Sequence, residues 1–198
     1  RIVKSEDSSH KYLDNIVKQV DIMSDMMKNV LELSKIKKSE IELKKIEVDL
    51  LINKLAEDSK VSFDAPHTEI IIENTPEVLG NPTMVYQVFG NVIGNAIKYS
   101  SKSSNPTVKI IGEVFHNQVT YKITDNGIGI DKKDADKMFK IFSRMSNAKA
   151  FNGNGVGLNI VQHLMEKMGG AISYESESGV GTTFILKFKK PDYDFSIS

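Results

Sequence analysis

Apolar residues recur at Leu13, Ile16, Val20, Met23, Met27 and Val30, in steps that alternate three and four. That is the seam of a heptad repeat on a helix. Val17, Met26 and Leu31 widen the stripe, while Asp14, Lys18, Asp21, Asp25 and Lys28 take the other faces. Neither Gly nor Pro occurs between His10 and Lys45, so the spacing predicts one long helix from about His10 to about Lys37. A helix of this length with one apolar stripe buries it on a partner helix, from upstream chain or from a second subunit. Packing on the chain's own globular part is the alternative, which a sustained heptad disfavours.

After Ser39 the texture changes. Ile41, Leu43, Ile46 and Val48 predict a short strand, followed by a helix through Leu50 to Ala56. Glu69-Ile70-Ile71-Ile72-Glu73 reads as a strand. At Asn81-Pro82 an Asn cap and a first-turn Pro start a helix through Val85, Val88, Phe89, Val92, Ile93 and Ala96 to about Tyr99. Strands follow at Val108 to Phe115 and Val119 to Thr124, turning at His116-Asn117. Asp131 is placed to cap a short helix towards Met138, and Ser143 to Asn154 is polar, small and without period. Gly155 to Met168 reads as a helix closed by Gly169-Gly170, and Ile172 to Glu175 with Thr182 to Lys189 as a hairpin. The sum is a mixed α+β layer, not a regular alternation of parallel strand and helix.

Composition narrows the class. The 198 residues carry 26 Lys plus Arg against 26 Asp plus Glu, and 40% are hydrophobic, which suits a globular chain of one domain, or one plus an appendage. Zero net charge weighs against a protein devoted to nucleic acid or an anionic membrane. The absence of Cys excludes thiol nucleophiles, disulfides and Cys-based zinc sites. No apolar run approaches the roughly 20 residues of a membrane span. The start, Arg1-Ile2-Val3-Lys4, has neither Met nor a signal-peptide pattern and leads us to expect a piece of something longer. The lack of Cys is compatible with the cytosol, and the expected location is cytoplasmic, with membrane anchoring of the parent protein left open.

Three separated segments carry chemistry. In Asn91-Val92-Ile93-Gly94-Asn95-Ala96-Ile97-Lys98-Tyr99, Asn91 and Asn95 lie one helical turn apart and share a face with Lys98. Amide oxygens and an ammonium suit a phosphate–magnesium cluster, although Asn pairs on helices are more often simply solvated. Asp125-Asn126-Gly127-Ile128-Gly129-Ile130 places a carboxylate at a strand end, able to accept from an exocyclic amine, with glycines that let backbone approach a flat ring. A turn in which Asp satisfies nearby amides is the plain alternative. Gly153-Asn154-Gly155-Val156-Gly157-Leu158 opens a helix whose first amides favour phosphate. Its spacing fits neither a Walker loop nor a dinucleotide fingerprint.

In this order the segments resemble the ATP-binding catalytic domain of sensor histidine kinases, of the superfamily shared with gyrase and mismatch-repair ATPases. The N box is matched by Asn91 to Ser100, the Asp-x-Gly-x-Gly box by Asp125, Gly127 and Gly129, and the F box by Met138-Phe139-Lys140-Ile141-Phe142-Ser143-Arg144. Gly153 to Leu158 match the second glycine box, and Gly181-Thr182-Thr183-Phe184 the last. The match covers about Ile41 to Lys189. Tyr12 to Ile36 resemble the second helix of the family's dimerisation and phosphotransfer domain, which packs into a four-helix bundle across two subunits. The expected division is therefore 1–38 for that partial region, 39–190 for the catalytic domain and 191–198 for a tail. The expected fold is a two-layer α/β sandwich with a mixed sheet, of the Bergerat type.

The resemblance implies roles. Asp125 would hold the adenine amine, helped by Thr182 through a water. Asn95 would be the magnesium ligand, supported by Asn91, with Lys98 and Tyr99 reaching phosphates or sugar. Gly153, Gly155 and Gly157 would offer amides to phosphates. Gly127, Gly129, Ile130, Phe142, Val156 and Leu158 complete the expected nucleotide site, and Arg144 stands where an F-box Arg often reaches phosphate. Ile141 and Ser143 depart from commoner F-box residues, and the lid, Ser143 to Asn152, is short. Hydrolysing relatives carry a Glu where Asn91 stands, and an amide cannot serve as that general base, so phosphoryl transfer is favoured over hydrolysis. The implied nucleophile is a His imidazole. None of His10, His67, His116 and His163 lies in a His box, so self-labelling is not expected. The implied cofactors are ATP and magnesium, and the implied partners are a response-regulator receiver domain and a second subunit. An anti-sigma-type serine kinase, a gyrase-like clamp and a catalytically inactive binding module remain as alternatives.

Overall fold

The computed structural model describes residues 12–13, 16–17, 20, 23–24, 27, 41–141, 143, 145–148, 151 and 155–191. The chain divides into two compact units, residues 1–38 and 39–198. In the first unit the described residues are helical. Leu13, Ile16, Val17, Val20, Met23 and Met27 are all exposed, from 57% at Leu13 to 65% at Met27. The heptad stripe is thus an open apolar face at these positions, and Met26, Val30 and Leu31 lie outside the described residues.

The second unit contains β1 (Lys44–Ile46), α1 (Asp49–Ser62), β2 (Glu69–Glu73), β3 (Val78–Gly80), α2 (Pro82–Ser100), β4 (Thr107–Phe115) and β5 (Gln118–Asp125). Two 3-10 helices follow, Lys132–Lys137 and Ser146–Ala148, then α3 (Gly157–Lys167), β6 (Ala171–Glu177) and β7 (Gly181–Lys189). The sheet runs β1-β3-β7-β5-β4-β2, with β6 also paired to β7. β2 and β4 are parallel and the other pairs antiparallel. This is the expected α+β sandwich with a mixed sheet.

Alternation decides which face of the sheet is covered. Val108 and Ile110 on β4, Val119, Tyr121 and Ile123 on β5, and Phe184, Leu186 and Phe188 on β7 are buried. Their neighbours Lys109, Lys122, Thr124 and Lys187 stand on the opposite face. Against the buried face lies α2, with Val85, Val88, Phe89, Val92, Ile93, Ala96 and Ile97 at helical spacing, all fully buried. Asn81 starts α2 as expected: its side chain accepts from the Met84 amide at 3.3 Å, and Pro82 fills the first turn. Phe89 anchors the layer contact, edge-on to Tyr121 at 5.1 Å and stacked on Phe188 at 5.8 Å. The Tyr121 hydroxyl donates to the Pro76 carbonyl at 2.5 Å. Burial pushes the Tyr121 pKa up, with the charge of Asp49 a lesser cause.

Several boundaries differ from those the pattern predicts. α1 continues beyond Ala56 to Ser62, with a Glu57–Lys60 pair at 3.0 Å on its last turns and Val61 exposed. β3, three residues long, gives no readable alternation. α3 begins at Gly157, with Val156 as its cap residue, and closes in a Schellman motif. There the Gly170 and Gly169 amides donate to Met165 and Glu166, and Gly169 adopts a left-handed φ of 72°. Asp131 stands at the cap position of the first 3-10 helix but makes no side-chain cap bond. Its carboxylate accepts instead from the Ser178 hydroxyl at 2.7 Å and pairs with Lys133 at 3.2 Å. The stretch read as irregular contains the 3-10 turn Ser146–Ala148.

Candidate functional site

One cavity of the second unit gathers side chains from α2, the β5 end, the lid, α3 and β7. The inner face of α2 contributes Asn91, Asn95, Lys98 and Tyr99; the loop after β5 contributes Ile128, Gly129 and Ile130 behind Asp125. Ser143, Met145, Asn147, Ala148 and Gly155 form the lid side, and Gly157 and Leu158 the start of α3. Met138, Thr182 and Phe184 close the wall.

Asp125 is 4% exposed at the last position of β5. Its carboxylate accepts from the Gly127 amide at 2.8 Å and from the Thr182 amide. Burial pushes its pKa up to about 6, because desolvation outweighs both backbone bonds. An ionised carboxylate here is poorly solvated and gains from any further donor entering the cavity. Across the β5–β7 ladder, Asp125 is paired with Thr182. The Thr182 hydroxyl lies 2.8 Å from that of Ser176, which itself donates to the Gly181 carbonyl at 2.8 Å. With the Ser176 hydrogen so placed, Thr182 is the donor of that pair and keeps its lone pairs for the cavity.

On α2, the Asn91 amide nitrogen donates to the Gln87 carbonyl at 2.9 Å, which orients the oxygen outward. That oxygen lies 2.4 Å from where a Cβ on Gly157 would stand, so a side chain at 157 would have to displace the Asn91 amide. Lys98 holds its ammonium 4.9 Å above the Tyr99 ring and 5.9 Å from the Phe63 ring. Tyr99 in turn meets Phe151 edge-on at 5.2 Å.

Of the residues singled out in the sequence, Asn91, Asn95, Lys98, Tyr99, Asp125, Gly129, Ile130, Gly155, Gly157, Leu158 and Thr182 line this one cavity. Gly127 stands behind it, donating to Asp125, and Val156 is fully buried beneath the start of α3. Phe142, Arg144 and Gly153 lie outside the described residues. Sequence reasoning missed Ile128, Met138, Ser143, Met145, Asn147, Ala148 and Phe184 as wall residues. Ile128, Met138 and Phe184 fall inside the quoted boxes and could have been read as the apolar bed for a flat ring; Asn147 and Ala148 sit in a stretch without period. Among the described residues no three His, Cys, Asp or Glu cluster to hold a metal. The amides of Asn91 and Asn95 suit an ion that brings most of its shell as water and phosphate oxygen.

Residues 80–192 match the family described as histidine kinase-, DNA gyrase B- and HSP90-like ATPase. The heme sensor protein HssS of Staphylococcus saprophyticus is 30% identical over 195 residues, covering 96% of this chain and 41% of the relative. The sensor-like histidine kinase SenX3 of Mycolicibacterium smegmatis is 29% identical over 193 residues, covering 94% and 49%. The structure of full-length ShkA in complex with AMPPNP superposes with a TM-score of 0.70 at 23% identity, covering 93% of this chain and 40% of ShkA. The chain belongs to this ATPase family, and within it to the ATP-binding catalytic part of sensor histidine kinases. It spans less than half the length of the curated relatives named here. Among the described residues no helix is long and apolar enough to cross a membrane.

Proposed function

We propose that this chain positions ATP and its magnesium for transfer of the γ-phosphate to a histidine on another segment, for relay to a response-regulator receiver domain. The observation that carries the reading is the convergence of a buried carboxylate, Asp125, with the amide face of α2 and the start of α3 around one cavity. The adenine amine donates to Asp125, whose desolvated carboxylate gains more from that bond than a solvated one would. Ile128, Met138 and Phe184 offer apolar surface to the ring. The phosphates run towards α2 and α3, where Lys98 and the first amides of α3 meet their charge. Magnesium, held through Asn95 with Asn91 behind it, supplies charge neutralisation to the phosphates when bound.

Asn91 decides what this arrangement does with a water molecule. Its nitrogen is committed to Gln87, and its oxygen, an amide oxygen, cannot take a proton at neutral pH. The chain therefore orients and neutralises but does not activate water, and the acceptor must arrive ready to attack. In a longer parent protein, the heptad stripe, whose described residues stand exposed, would be the surface through which two subunits pair. The location we propose is the cytoplasmic side, where ATP is available.

The test is transfer in trans. The chain is incubated with radiolabelled ATP and magnesium, alone and with a family helix that bears a His box. Label should appear on the added helix, be lost in acid and survive base, and be absent from the chain itself. Acid-stable label on a serine would replace the reading with a serine kinase. Stable label on His10, His67, His116 or His163 would contradict the need for an outside acceptor.

A further inference from the structure

The lid meets the rest of the cavity through side chains that none of the roles above employs. Ser146, Asn147 and Ala148 form the 3-10 turn at its front. The Ser146 amide donates to the Asp134 carboxylate at 2.7 Å. Asp134 is itself 1% exposed, and its other oxygen takes the Lys137 ammonium at 2.8 Å. That ammonium, followed by the Ser146 bonds, holds the Asp134 pKa well below the usual carboxylate range. One residue on, the Asn147 amide nitrogen donates to the Gly129 carbonyl at 2.9 Å and lies 3.5 Å from the Ile128 carbonyl. These are backbone atoms of the loop that lines the cavity behind Asp125.

Both carbonyls can only accept, so the orientation of the Asn147 amide is fixed. Its oxygen is buried with no donor among the described residues. An apolar residue would fill this place without stranding a polar atom. What Asn supplies is the bond to the Gly129 carbonyl.

We propose that Asp134 and Asn147 are positioning residues that latch the front of the lid onto the loop after β5, fixing Met145, Asn147 and Ala148 as one wall of the nucleotide cavity. Asp134 fixes the turn by its first amide, and Asn147 fixes the loop by its backbone. Neither needs to touch the nucleotide. Because both hold the same turn, each is of less use once the other is gone. The proposal rests on the nucleotide reading of the cavity.

The test measures ADP affinity by calorimetry in the whole chain, in Asn147→Ala, in Asp134→Ala, in their combination and in Asp134→Asn, with hydrogen exchange at residues 145–148. The wild-type chain is measured first, and its failure to bind ADP would remove the nucleotide reading itself. With wild-type binding in place, each alanine variant should weaken ADP by about tenfold. The double variant should lose well under the product of the two losses. Asp134→Asn, which keeps an acceptor for the Ser146 amide, should recover part of the affinity. The Ser146 and Ala148 amides should exchange faster in the variants while β5 and β7 amides keep their protection. Wild-type ADP affinity in folded Asn147→Ala, or losses that multiply in the double variant, would overturn the latch. Asn147→Ala removes a half-buried amide from a short turn outside the core layer and carries the test even if Asp134→Ala does not fold.

Discussion

Asp125 carries two energies of opposite sign, and pH separates them. Its folded pKa, about 6, lies above the ordinary value of 3.8 because burial penalises the charge. The sign for stability follows: protonation of Asp125 favours the folded chain. Its contribution is fully present below the ordinary carboxylate value and is lost as pH rises through about 6. Nucleotide binding runs the other way, since only the ionised form accepts fully from an adenine amine. ADP affinity should therefore weaken as pH falls through about 6 in the wild-type chain. Asp125→Asn should bind weakly with a flat profile, and calorimetry across this range checks both. Asp131 and Asp134 are shifted downward by their partners, Ser178 first for Asp131 and Lys137 first for Asp134. Their contribution is present above the ordinary carboxylate value and disappears only at lower pH, so they do not confuse the reading. Gly157 offers a second separation. Ala at the first turn of α3 is a better helix former, by up to about 1 kcal/mol, yet its Cβ would push the flexible Asn91 amide aside. Gly157→Ala should keep or raise thermal stability while ADP affinity falls, and paired melting and binding measurements test that split.

At the scale of elements, α2 joins core and site in one piece of chain. The face that buries Val85, Phe89, Val92 and Ile93 holds the helix on the sheet, and Asn91, Asn95 and Lys98 project beside it into the cavity. Core damage should therefore reach the site only through stability. Phe89→Ala removes a fully buried ring that contacts Tyr121 and Phe188 and should cost about 3–5 kcal/mol by denaturant unfolding. At temperatures where that variant is still folded, its ADP affinity should stay near wild type. α2 was also the element most legible in the sequence. Asn81-Pro82 fixes its start and a 3.6-residue apolar period its buried face, and both are local signals. β3 and the last two turns of α1 were not legible for the opposite reason: a three-residue strand and an exposed helix end have no period to read. Asp131 was misassigned as a side-chain cap because its partner Ser178 is distant in sequence, and no local pattern announces such a bond.

In the whole molecule, the second unit assembles a site from segments that begin at Asn91 and end at Phe184. The boxes named the segments, but only the sheet order explains why they meet. β7 lies between β5 and β6, so Thr182 falls opposite Asp125 although the two are distant in the chain. The lid was the least legible part of the site. Its wall residues Asn147 and Ala148 act through backbone carbonyls and a short turn, which leave no trace in hydrophobic period or residue type. The central claim is that this cavity binds an adenine nucleotide through Asp125. Calorimetry of the chain with ADP and magnesium tests it most directly. The account predicts a single saturable site that is lost in Asp125→Asn; a folded wild-type chain that gives no binding heat and no ADP-dependent rise in melting temperature would contradict it.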